Sequence, residues 1–137
     1  MKGNQIPVRQ EEVIFRTTNQ LELFDRELVN DTTPRLSSDV ECAAFRKFGL
    51  YVYIDSTSTP TTLHIEVEFL NRWNGRWYTH KQGVFAALYY EDGDTASGIY
   101  ECFVGDVVGR AIRVKLTGVG TTSTEYFIAS ILLDLWN

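Results

Sequence analysis

Hydrophobic and polar residues alternate with a period of two in the two most regular stretches of the chain, residues 62–70 and 110–118. In the first stretch the apolar positions are Leu63, Ile65, Val67 and Phe69. In the second stretch they are Ile112, Val114 and Leu116. Successive strand residues point to opposite faces of a sheet, so the pattern predicts two strands that each bury one face in a core.

The polar faces of these two stretches carry opposite charges. Residues 62–70 present His64, Glu66 and Glu68, whereas residues 110–118 present Arg113 and Lys115. Opposite charges on facing strands stabilise a sheet, so the two stretches are candidates for neighbouring strands.

Shorter alternating runs predict the remaining strands. They cover residues 11–15, 20–24, 40–45, 49–55, 85–90, 98–104 and 126–136. Residues 25–28 read as a helical turn, residues 30–38 as a loop, and Asn74-Gly75 within residues 71–76 as a tight turn. About eight strands with no long helical pattern predict an all-β fold, a single antiparallel β-sandwich of jelly-roll type. It would occupy residues 11–137, preceded by a polar N-terminal arm, residues 1–10.

The last predicted strand is apolar on both of its faces. One face carries Phe127, Ala129, Ile131, Leu133 and Leu135. The other carries Tyr126, Ile128, Leu132 and Trp136. A sandwich strand needs one apolar face for its core, and a second would be costly in water. We therefore predict that Tyr126, Ile128, Leu132 and Trp136 lie at a homo-oligomer interface, with cover by the chain itself as the alternative.

Composition and charge narrow the class of protein. The chain has 137 residues, 44% of them hydrophobic, and a net charge of −5. An acidic chain lacks the basic patch that nucleic-acid binding requires, so no nucleic-acid partner is expected. The longest apolar runs are too short for a membrane helix, and residues 1–12 have no apolar core of a signal peptide. Cys42 and Cys102 lie in strand-like runs, which predicts buried thiols in a protein made in a reducing cytoplasm.

Two acidic groups are candidates for metal binding. His64, Glu66 and Glu68 share one strand face, but such residues more often form a solvated face than a site. Glu91, Asp92 and Asp94 form an acidic turn. However, its spacing differs from that of a calcium-binding loop, because Ser97 and Phe103 stand where Gly and Glu are needed. No nucleophile motif or phosphate-binding loop is present. We predict no catalytic, cofactor or metal site, and no enzymatic activity.

Trp73, Trp77 and Tyr78 surround the predicted Asn74-Gly75 turn. Exposed aromatic residues on a sandwich rim stack on sugars or anchor protein partners. The alternative is a cross-strand pair that covers its own hairpin. These three residues are the predicted partner or glycan contact.

The second half of the chain, residues 83–136, resembles β-sandwich structural proteins of tailed bacteriophages. The likeness runs through GVFAALYYEDGDTASGIYECFVGD, then VGRAIRVKLTG, a Gly/Thr/Ser loop and an aromatic final strand, with SSDVECAAF fitting less specifically in the first half. Such jelly-roll modules include capsid decoration (cement) proteins and tail components. The pattern also overlaps galactose-binding-like sandwiches.

The resemblance implies a non-enzymatic virion protein, made in the host cytoplasm. The expected role is an oligomeric decoration or cement protein that stabilises a phage head. It would bind a major capsid protein or another virion protein, with a homotrimer favoured and no cofactor, nucleic-acid or membrane partner. The alternative is a carbohydrate-binding module or tail adhesin.

Overall fold

Strands form along nearly all of the alternating stretches. The computed structural model describes residues 19–57, 62–91 and 95–137; the predicted arm and the predicted strand at residues 11–15 lie outside them. The strands are β1 (Asn19–Val29), β2 (Arg35–Leu36), β3 (Val40–Glu41), β4 (Lys47–Ser56), β5 (Thr62–Leu70), β6 (Trp77–Thr79), β7 (Tyr89–Glu91), β8 (Ile99–Asp106), β9 (Ala111–Val119) and β10 (Phe127–Trp136). A short 3₁₀ helix spans Gly83–Ala87 between β6 and β7. No helix within the described ranges is long and apolar enough to cross a membrane.

The strands form two antiparallel sheets. Sheet A has the order β1-β10-β4-β8, and sheet B has the order β2-β9-β5-β6, with β3 also on β9 and β7 also on β5. The pairing is nested: β1 pairs with β10, β2 and β3 with β9, β4 with β8, and β5 with β6 and β7. This nesting is that of a hairpin rolled up on itself, which is the jelly roll. Because β2 and β3 share one place, as do β6 and β7, the described strands fill eight positions, which confirms the predicted fold.

The opposite charges of β5 and β9 do face one another. Their register places Glu66 beside Lys115 and Glu68 beside Arg113. The same register sets Val67 opposite Val114, so a slip by one residue would bury the charged face. The prediction that these two strands are neighbours is confirmed.

The core lies between the inner faces of the two sheets. The predicted inward residues of β5 and β9 are all 3% exposed or less, and those of β10 are 1% exposed or less. From β4 the core receives Phe48, Leu50, Val52 and Ile54.

Residues 25–28 do not form the predicted helical turn. They belong to β1, whose pairing with β10 shifts register between Glu22 and Phe24 and again between Phe24 and Glu27. Arg26 has a positive φ of 52°, and its backbone N–H donates to Ser130 Oγ at 2.9 Å. The residues that the sequence suggested as a helical turn therefore form a β-bulge within β1.

Three other local predictions are wrong in detail. Residues 85–90 are not one strand, because the 3₁₀ helix occupies the first part and β7 only Tyr89–Glu91. The predicted strand at residues 40–45 is reduced to Val40–Glu41, and the loop at residues 30–38 contains the two-residue strand β2.

Candidate partner-binding surface

The outer face of sheet A is an apolar surface built from four strands. It comprises Gln20, Glu22 and Leu28 of β1; Ile128, Ser130, Leu132, Asp134 and Trp136 of β10; Lys47, Gly49, Tyr51, Tyr53 and Asp55 of β4; and Tyr100, Cys102, Val104 and Asp106 of β8. One cross-strand row runs Glu22, Leu132, Tyr51, Cys102 through the middle of this face. Alternation puts these side chains on the side away from the core.

Several apolar side chains of this face are open to solvent. Tyr100 is 83% exposed, Val104 60%, Leu28 43% and Tyr51 38%. The four residues predicted for an oligomer interface, Tyr126, Ile128, Leu132 and Trp136, are half-buried. Tyr126 immediately precedes β10, and the other three lie on the outer face of that strand. The structure thus extends the predicted group across β4 and β8, and it adds Ser130 and Asp134 as polar members.

A groove lies across the centre of this face. It has a volume of about 350 Å³ and is lined by Tyr51, Val52, Tyr53, Tyr100, Glu101, Cys102, Ser130 and Leu132. The rings of Tyr53 and Tyr100 pack with their centroids 4.6 Å apart. Five of the eight lining residues are aromatic or aliphatic, and the Glu101 carboxylate accepts a hydrogen bond from Tyr90. This is the chemistry of a protein contact rather than of a charged ligand site.

Several polar groups of this face have partners within the chain. Lys47 Nζ and Asp106 Oδ1 form an ion pair at 2.6 Å, and the carboxyl pKa of Asp106 is lowered by it. Partial burial raises the pKa of the Tyr51 phenol, and the charge and hydrogen bond of Asp134 raise it further. Burial and Asp55 act on Tyr53 in the same way. A partner could cover the Lys47–Asp106 pair without leaving either of these two charges unpaired.

Gly49 allows Trp136 to lie flat across the sheet. A Cβ atom at position 49 would stand 3.1 Å from Cζ3 of the Trp136 ring. Because glycine has no side chain, the indole covers the backbone of β4 and stays half-buried within its own subunit. Trp136 therefore forms part of the surface rather than a projecting side chain.

Cys102 contradicts the prediction that both thiols are buried. It is a free, exposed cysteine on the outer face of β8, whereas Cys42 is fully buried and also free. Burial raises the pKa of the Cys42 thiol to about 11, so at neutral pH it stays protonated and unreactive. Cys102 was missed because it lies on an edge strand with one open face.

The outer face of sheet B has the opposite character. Arg113 Nε lies 2.7 Å from Glu68 Oε1, and Lys115 Nζ lies 3.3 Å from Glu66 and 3.6 Å from Glu68. The two carboxylates considered for a metal are therefore held by cations, and the His64 ring packs 5.8 Å from that of Tyr89. Residues 19–57, 62–91 and 95–137 contain no group of three or more His, Cys, Asp or Glu side chains placed to hold a metal ion. Asp92 and Asp94 of the acidic turn lie outside the described residues.

The structure does not bring Trp73, Trp77 and Tyr78 onto one face. Trp77 and Tyr78 are successive residues of β6, so they point to opposite sides of sheet B. The Trp77 ring lies on the charged side, beneath Arg113, whose guanidinium carbon is 4.0 Å from the ring centroid. Tyr78 is 52% exposed on the other side and accepts a hydrogen bond from Asn74 at 2.9 Å.

Trp73 projects from the turn between β5 and β6 and is 90% exposed. Asn71 Oδ1 accepts from the backbone N–H groups of Trp73 and Asn74, at 2.9 and 3.0 Å, which fixes this turn. The turn is longer than a two-residue Asn-Gly hairpin: Asn71 and Arg76 pair at its ends, and of the central pair only Gly75 has positive φ.

Comparison with known proteins identifies the fold. No protein-family model matches the chain, and no curated protein sequence matches it. A chain from the structure of infectious bursal disease virus, Gx strain, superposes with a TM-score of 0.54 at 11% sequence identity. The match covers 86% of this chain and 31% of that chain, so this chain corresponds to about one third of its viral neighbour. At this identity the likeness concerns the fold, a jelly-roll sandwich that occurs in a virus structure.

Proposed function

We propose that this chain is a virion structural protein without catalytic activity, and specifically an oligomeric decoration or cement protein on the outside of a phage capsid. The observation that carries the proposal is the contrast between its two broad outer faces. The outer face of sheet B is covered by ion pairs, which suit contact with water. The outer face of sheet A exposes apolar side chains, and exposed apolar surface of this kind marks protein contacts. The fold likeness to a chain of a virus structure supports the same class of role, although a fold alone does not define a function.

A decoration protein has to attach to a lattice and reinforce it. The exposed Trp73 on its fixed turn offers a contact to the capsid protein that is separate from the outer face of sheet A. The predicted arm, residues 1–10, would add a second attachment, because a segment that orders on binding can wrap a neighbouring subunit.

The test of this role is the presence of the protein on virus particles. Particles of the virus that carries the gene are purified on a density gradient and probed with antibody against the chain. We expect co-sedimentation at a fixed ratio to the major capsid protein, and particles lacking the gene product to release their genome at a lower temperature. Adding back the purified protein should restore the heat stability. A protein that is abundant in infected cells but absent from particles would overturn the proposal.

A carbohydrate-binding role is the second candidate, and the exposure of Trp73 is the observation that favours it. An indole that is 90% exposed on a rigid turn resembles the stacking residues of sugar sites. Titration with mono- and oligosaccharides, followed by tryptophan fluorescence, should then give a saturable change that Trp73→Ala abolishes. Trp77→Phe is the matched control, since the Trp77 ring is already covered by Arg113.

A further inference from the structure

We infer that the outer face of sheet A binds the same face of a second copy of this chain, with Leu132 and Tyr51 at the centre of the contact. The inference rests on the oligomeric role proposed above and names the surface and the partner. It also predicts an even number of subunits, in contrast to the homotrimer that the phage resemblance favours.

The area of the face is sufficient for a stable pair. Strands stand about 4.8 Å apart and rise about 3.3 Å per residue, so four strands as long as β10 present roughly 600 Å². Two copies would together remove roughly 1,200 Å² from water, which reaches the lower end of stable protein interfaces. The apolar centre lies on β10 and β4, the two inner strands of the sheet.

The chemistry of the surface selects a like partner. The Lys47–Asp106 pair at one end of the face is satisfied within the chain, and the centre of the face around Leu132 and Tyr51 is apolar, so an apolar surface covers this centre best. The outer face of sheet B does not offer such a surface, because Glu66, Glu68, Arg113 and Lys115 cover it. Among the broad faces that the described strands form, the outer face of sheet A itself fits.

The edge of sheet A is a poorer contact than its face. Glu101 lies on the inward side of the edge strand β8, where Tyr90 donates a hydrogen bond to its carboxylate at 2.5 Å. An inward-pointing charge on an edge strand opposes the addition of a further strand. At the other edge, the bulge at Arg26 interrupts the regular pairing pattern of β1. Face-to-face packing is therefore favoured over growth through the strand edges.

Cys102 is a native reporter for this contact. It lies in the same cross-strand row as Leu132 and Tyr51, and the only other cysteine in the sequence, Cys42, is buried. The full-length protein is diluted over a wide concentration range, and its mass is measured by light scattering at each concentration. The rate at which a maleimide labels its thiols is measured on the same samples. We expect dimers at high concentration, with Cys102 labelled at least about tenfold more slowly than in the dilute monomer.

Substitution of Leu132 tests the centre of the face. Leu132→Asp should give folded monomers whose Cys102 reacts at the fast rate at every concentration. Leu36→Asp is the matched control, because Leu36 is 51% exposed on the outer face of sheet B, opposite Lys115, and should leave the dimer intact. Mixing Leu132→Asp with Leu132→Lys should restore dimers, since residues near a two-fold axis face their own copies.

Four results would overturn the inference. A trimer, or a monomer with fast Cys102 labelling at every concentration, would show that this face does not pair with itself. Slow labelling in a monomer would show that residues 1–18 or another part of the same chain cover it. Intact dimers in Leu132→Asp would place the contact elsewhere. None of these results bears on whether the protein is found on virus particles, so the proposed function is tested separately.

Discussion

Gly105→Ala is expected to destabilise the subunit by roughly 2–3 kcal/mol, at the upper end of the cost of overpacking a core. A Cβ atom at position 105 would lie 2.6 and 2.7 Å from Cε1 and Cζ of Phe48, and 3.1 Å from Cε2 of Phe85. Ordinary carbon contacts are about 3.5–4.0 Å, so the Phe48 ring would have to retreat by roughly 1 Å.

Other rings of the core hold the Phe48 ring in place. Phe48 is fully buried, and its ring packs edge-on against Phe69 at 5.6 Å and in a tilted arrangement against Phe85 at 5.3 Å. His80 closes a third side, with its ring 6.1 Å away. Because Gly105 lies opposite Phe48 in the pairing of β8 with β4, a shift of the ring would also strain that pairing.

A double-mutant cycle with Phe48→Leu isolates this clash. Leucine lacks the two ring atoms that the new methyl group would meet, so Gly105→Ala should cost at least about 1 kcal/mol less in the Phe48→Leu background. The assay is equilibrium unfolding in urea, followed by tryptophan fluorescence and circular dichroism at one fixed protein concentration. An equal cost of Gly105→Ala in both backgrounds would refute the steric explanation.

Three further predictions concern the core, the response to pH and the N-terminal segment. Val67→Ala should cost roughly 1.5–3 kcal/mol in urea unfolding, through two lost methyl groups and a cavity, while the half-exposed Val119→Ala should cost less than about 0.5 kcal/mol. Burial lowers the pKa of His80 from its usual 6.5, so His80 takes up a proton at a higher pH in the unfolded chain than in the folded one. The free energy of unfolding should therefore fall as the pH drops below about 6.5. His80→Gln should remove this pH dependence. Deleting residues 1–10 should leave the melting temperature of the subunit almost unchanged but weaken its attachment to particles, and an unfolded deletion variant would contradict this.

Alternation and charge were enough to predict the centre of the fold. Leu63 to Phe69 and Ile112 to Leu116 are spaced so regularly that only one register buries them, and Glu66 with Lys115 reinforces that register. Both signals are local to a strand or to a single strand pair, which is why they are readable from one sequence.

Irregular segments were less predictable because their residues fit two periods. Phe85 and Leu88 are both buried, at 6% and 7% exposure, and their spacing of three suits a helical turn. Tyr90 is also buried, so the same run also resembles a strand. In β1, the bulge at Arg26 interrupts the alternation, and a break of this kind looks like a turn in the sequence.

The candidate surface was predicted only as far as one strand reaches. The sequence places Ile128, Leu132 and Trp136 together because they share a face of β10, but their lateral neighbours come from β4 and β8, far away in the chain. Pairing of β10 with β4, and of β4 with β8, decides that Tyr51 and Cys102 complete the row of Leu132. Such long-range pairing leaves no signal in the local sequence pattern. It is this pairing that combines the apolar face of β10 with those of β4 and β8 into one broad surface.

The contrast between the two outer faces also explains why sheet A, rather than sheet B, should be the contact. On sheet B, pairs such as Arg113 with Glu68 satisfy each other and still touch water, so burying them would add a desolvation cost with little gain. On sheet A, the Lys47–Asp106 pair lies at one end of β4 and β8, whereas Leu132, Tyr51 and Tyr53 occupy the centre of the face. Further burial there costs less, while the exposed Tyr100 and Val104 contribute apolar area to the contact. We therefore expect a partner to cover the outer face of sheet A, and the outer face of sheet B to remain in water.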